Sequence, residues 1–131
     1  MSYRSDVSVV FYTLDKERLP FAALKLWFDE NYPHEVAKAE WEAKISEGDD
    51  YVLVNYTGVK WWDGAGHPQV VDAVLRRFVE TFDEGVSAET ENGPPAAYDF
   101  VRIGEDDNDT ETDRSGWTDF RLGVSRDIVF Y

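Results

Sequence analysis

One stretch constrains the chain more than any other: "SVVFYTL" (8–14) is β-branched and aromatic and reads as a strand. Val7, Val9 and Phe11 fall on one face, and Val10, Tyr12 and Leu14 on the other. Apolar residues on both faces predict an interior strand. The rest of the chain has to supply strands beside it and a layer to cover them.

The order of the remaining elements follows from periodicity. In "DKERLPFAALKLWFDENYP", Phe21, Leu24 and Phe28 recur at helical spacing with Trp27 beside them; Pro20 suits the first turn and Pro33 marks the end. "HEVAKAEWEAKIS" (34–46) is a weaker helical stretch, with Ala37, Trp41 and Ile45 on one side and Gly48 closing it. "DYVLVNYTGVKWW" (50–62) returns to strand character, and Gly58 marks a tight turn or a bulge, so a hairpin and one kinked strand both fit. The clearest helix follows Pro68: Val71, Val74, Leu75, Phe78 and Phe82 form one stripe, with Arg76 and Arg77 off it in solvent. After a polar loop (84–95), "AAYDFVRI" (96–103) reads as a strand, and "DFRLGVSRDIVFY" (119–131) as one or two more.

This order predicts one α+β domain over residues 1–131. It has a mostly antiparallel sheet with two to three helices packed on one side, a ferredoxin-like (split βαβ) variant with an extra C-terminal strand. The 43% hydrophobic and 15% aromatic content supports a packed core despite the charge. No apolar run reaches the roughly 18–20 residues of a membrane helix, and the N-terminus lacks signal-peptide character, so a soluble, cytoplasmic protein is expected.

The net charge is −14. Residues 1–60 carry 11 acids and 7 bases (−4), and residues 61–131 carry 16 acids and 6 bases (−10). Such a chain repels nucleic acid and anionic membrane and is steered toward basic surfaces, unless the acid merely serves solubility. Much of it lies in "GEDDNDTETD" (104–113), where Glu105, Asp107, Asp109, Glu111 and Asp113 alternate. The stretch fails as a calcium loop, because neither the glycine nor the glutamate falls at the required position. Three readings stay open: a solvated acidic loop at about 104–116, a ladder engaging a basic partner, or casual divalent binding. In an extended chain, acids two apart lie roughly 6.6–6.8 Å apart on one face, comparable to phosphates along a DNA strand.

Catalytic and metal motifs are sparse. The chain has no Cys and two His, His34 and His67, neither at zinc-helix spacing. "WWDGAGHP" (61–68) places glycines before a helix but matches neither a P-loop nor a dinucleotide fingerprint, so no catalytic residue, metal or cofactor is expected. Trp61 and Trp62 point to opposite faces in a strand; one belongs in the core, and Trp62 is a candidate aromatic anchor for a partner.

"MSYRSDVSVVFY" at the start, "VKWWD", "FVRIGEDDND" and "VSRDI" together resemble small acidic proteins encoded by tailed bacteriophages. The resemblance runs in order over most of the chain, with Trp62 standing where Tyr is expected. It implies phage origin and residence in the infected bacterial cytoplasm. It brings no catalytic residue, since the family has no settled activity. The combined expectation is a non-enzymatic phage accessory protein that binds a basic surface of a host or defence protein, as an anti-defence or host-takeover inhibitor or a nucleic-acid mimic. A structural or assembly factor of the phage particle is the alternative, and a small enzyme using the Asp63–His67 turn the lesser one.

Overall fold

The computed structural model describes residues 4–32, 44–60, 66–84, 95–104, 109–115, 121–125 and 127–130. The elements are β1 (Arg4–Thr13), α1 (Phe21–Asn31), β2 (Lys44–Glu47), β3 (Tyr51–Lys60), α2 (Gly66–Val79), a π-helical turn (Glu80–Glu84), β4 (Ala96–Ile103), β5 (Thr110–Arg114), β6 (Leu122–Ser125) and β7 (Asp127–Phe130). Five strands form one sheet in the order β2-β3-β1-β4-β5, with every neighbouring pair antiparallel; β6 and β7 pair with each other in a second, two-stranded sheet.

β1 is interior, as its two apolar faces predict. It pairs with β3 on one side and β4 on the other. Val7, Val9 and Phe11 enter a core with Val52, Val54, Phe100 and both helices. Val10 and Tyr12, on the opposite face, enter a second core with Leu53, Ala97, Val101 and Leu122. Leu14, expected to continue that face, lies past the end of β1 and is 44% exposed.

Both helices cover the first face. Pro20 is the N-cap of α1, and Leu24 and Phe28 are buried beneath it. All five stripe residues of α2 and its π-helical extension are buried: Val71, Val74, Leu75, Phe78 and Phe82. The rings of Phe11, Trp27, Phe82 and Tyr98 surround Phe78 at centroid distances of 4.8–5.8 Å. The helix begins at Gly66, two residues before the expected Pro68.

Three expectations change, and one open alternative is resolved. The described residues contain two α-helices, and the end of the helix expected at 34–46 is strand: Lys44–Glu47 pair with Val52–Asn55. Ile45 packs against the core from β2 instead of a helix stripe. Residues 34–43 lie outside the described part. Gly48 closes no helix but sits in the β2–β3 turn, donating its N–H to the Tyr51 carbonyl at 3.0 Å. A Cβ there would fall 2.3 Å from the Tyr51 ring, so any larger residue would require that ring to move.

Residues 51–60 form one strand, not a hairpin. The register with β1 passes from Val7↔Tyr56 to Ser5↔Val59, so Thr57 and Gly58 together oppose Asp6 in a bulge. The acidic loop expected at about 104–116 is strand β5 over Thr110–Arg114. An edge strand needs no apolar face, so its polar sequence gave no strand signal. Lastly, the described part of the C-terminal segment adds no strand to the main sheet. It folds as the β6–β7 hairpin across the face opposite the helices, with Leu122, Ile128 and Phe130 on the second core.

No helix among the described residues is long and apolar enough to cross a membrane.

Candidate functional site

Two polar arrangements stand out, one on each face of β4 and β5.

The first contains the described members of the acidic ladder. β5 pairs with β4 through Arg102↔Glu111 and Phe100↔Asp113, so these two acids lie on the helix-bearing face. Arg102 is largely buried and gathers three partners. Its guanidinium donates to both oxygens of Asp109 (2.7 and 3.1 Å) and to Glu111 (3.3 Å), and its Nη1 donates to Ser5 Oγ (3.2 Å). The fork-shaped guanidinium suits this two-oxygen grip on Asp109. The bond to Asp109 is also the main reason the Arg102 pKa is raised. The Tyr98 hydroxyl donates to Asp113 at 2.7 Å, and burial together with that carboxylate holds its pKa well above the usual phenol value. Asp109, Glu111 and Asp113 are thus brought together on one edge, each with an internal contact, while Glu111 and Asp113 remain exposed. Glu105, Asp107 and Trp62 lie outside the described residues, as do His34 and Asp63.

The second arrangement escaped sequence reasoning. Asp99 is wholly buried on the opposite face of β4. Its Oδ1 accepts from the Tyr12 hydroxyl at 3.2 Å; its Oδ2 accepts from the backbone N–H groups of Arg121 (2.5 Å) and Leu122 (3.1 Å). Arg114, opposite Asp99 in the β4–β5 register, donates to the Leu122 carbonyl at 2.8 Å. Side chains on two neighbouring strands therefore hold both backbone groups of Leu122. The Arg121 guanidinium meets the two oxygens of Asp50 at 2.8 and 3.4 Å and lies over the Tyr12 ring, 4.9 Å from its centroid. The hydrogen bond from Arg121 holds the Asp50 carboxyl below the usual range, and the same bond raises Arg121. Only the partners' positions, 22 and 23 residues downstream of Asp99, reveal this arrangement, and backbone donors leave no mark in a sequence.

Among the described residues, no group of three or more His, Asp or Glu side chains is placed to hold a metal ion. The chain matches no family model, no curated protein and no solved structure.

Proposed function

We propose that the protein acts by binding, and that the acidic edge of Asp109, Glu111 and Asp113 engages a basic surface on another protein. The observation that carries this reading is the exposure of Glu111 and Asp113 on an edge strand of a chain with net charge −14. At this edge Asp109 and Glu111 pair with the one guanidinium of Arg102 while Asp113 accepts from the neutral Tyr98 hydroxyl, so these groups together carry two net negative charges. Arg102 also fixes the carboxylates of Asp109 and Glu111, so a partner meets them already oriented. Glu111 and Asp113 lie two residues apart in a strand, a spacing of roughly 6.6–6.8 Å. That spacing favours a partner whose own surface reads phosphates: a nucleic-acid-binding host or defence protein. The phage resemblance supports the wider setting, an accessory protein at work in an infected bacterium.

The same reading assigns the sheet to a ferredoxin-like, split βαβ plan. The segment containing α1 joins β1 to β2 with β3 between them, and the segment containing α2 joins β3 to β4 with β1 between them. β5 and the hairpin are additions to that plan.

The test compares the immobilised chain with its Glu111→Gln/Asp113→Asn variant in capture from bacterial lysate. The wild type should retain a basic protein at about 0.1 M salt and release it toward 1 M, where the Debye length falls from roughly 10 to 3 Å. The variant should retain markedly less. Equal retention by both, at both salts, would remove the acidic edge from the binding surface.

A further inference from the structure

We propose that the Asp99 face of the sheet is a recognition site for an extended segment carrying an Arg followed by an aliphatic residue, and that the β6–β7 hairpin occupies it in cis. The site has three parts. The first is an arginine seat made by the Asp50 carboxylate and the Tyr12 ring, an ion pair and a cation–π contact on one guanidinium. The second is the backbone clasp. Asp99 accepts two successive N–H groups and Arg114 donates to the Leu122 carbonyl. The third is an apolar seat of Val10, Leu53, Ala97 and Val101, in which Leu122 is 1% exposed.

These contacts recognise a peptide, not only a neighbouring sheet. Among the described residues the hairpin forms no strand ladder with the five-stranded sheet, and it is gripped at Arg121 and Leu122 by side chains reading its main chain. Clasping successive main-chain groups while seating the side chains in separate pockets is how proteins read extended peptides. Charge complementarity selects the occupant's first side chain. Asp50, in the turn before β3, pairs with the arginine, so an acidic residue in that place would not fit, while Asp99 and Arg114 engage the main chain of the residues there. The site lies on the face of β4 and β5 opposite Glu111 and Asp113, so the proposal is independent of the acidic edge.

The test uses the full chain and, as probe, a labelled peptide of residues 119–125, "DFRLGVS". Leu122→Ala weakens the cis occupant, and this variant should bind the peptide at least about ten-fold tighter than the wild type, whose own hairpin competes at high effective concentration. Adding Asp99→Asn should reverse that gain, and a peptide carrying Arg121→Glu should not bind. Peptide affinity unchanged by Leu122→Ala, in a variant whose β1 amides stay protected, would overturn the proposal. So would a doubled mass for Leu122→Ala without peptide, which would assign the site to hairpin exchange between two copies. A measurement on the wild type covers failure of the variant to fold. Hydrogen exchange in β6 should be at least about ten-fold faster than in β1. Equal rates would mean that the hairpin opens only with the whole fold, and would sink the idea.

Discussion

Asp99 and Asp50 show how much a single carboxylate can organise when its partners are chosen for it. Asp99 satisfies three donors at once from a fully buried position, where an unpaired charge would be strongly destabilising. Asp50 is half-buried, and Arg121 depresses its pKa. A carboxylate of this kind contributes stability in full above its unfolded pKa, about 3.9, and loses it as pH falls through the lower folded value. The difference in urea midpoint between wild type and Asp50→Asn should therefore be level above about pH 5 and shrink below about pH 4. A difference independent of pH would contradict this account of the pair. The buried tyrosines behave in the opposite sense. Tyr56 shares a hydroxyl hydrogen bond with Tyr32, and burial pushes its pKa up to about 12. Its neutral form supports the fold fully below the ordinary phenol value, and that support is lost as pH rises through about 12. Alkaline titration followed by tyrosinate absorbance should show a late step that Tyr56→Phe removes.

Among the elements, legibility followed apolar periodicity. The stripe from Val71 to Phe82 announced a helix and its buried face, because five apolar residues at that spacing can only be covered together. Phe78 sits at its centre with no exposed surface, so Phe78→Ala should cost on the order of 3–5 kcal/mol in chemical denaturation. An unchanged midpoint would mean the stripe does not face the sheet. β1 was equally plain, since both its faces are apolar. β2 and β5 were not. Each is an edge strand of four or five residues whose side chains are mostly exposed, and nothing in "KISE" or "TETDR" repeats with period two in hydrophobicity. β5 owes its place to its pairing with β4 and to Arg102, a long-range choice that local propensity does not record. The ladder was visible as composition, yet its geometry was not: alternation alone did not reveal that Arg102 and Tyr98 would each engage its carboxylates. The hairpin was visible as strand but not as a separate layer, because the residues that anchor it are Asp99 and Arg114 on other strands.

For the whole molecule, a charge of −14 on 131 residues acts in two directions. It repels itself, so screening should raise stability. The urea midpoint should increase between about 0.02 and 0.5 M salt as the Debye length shortens below roughly 10 Å. The proposed binding should weaken over the same range, and opposite signs in the two measurements would separate a change in fold from a change in docking. A flat midpoint would mean that local pairs such as Arg102–Asp109 already balance the field. The central position of β1 has a temporal consequence. Ser8 bonds Asn55, 47 positions later, but Tyr12 meets Asp99 only 87 positions later. At synthesis rates of about 5–20 residues per second, roughly 4–17 s separate the emergence of β1 from that of its second neighbour. During that interval the strand "VSVVFY" can complete one ladder at most, with its other edge open to any nearby chain. The ribosome thus exposes the central strand early and completes its sheet late, so yield during expression should depend on translation rate and on chaperone supply more than final stability alone would suggest.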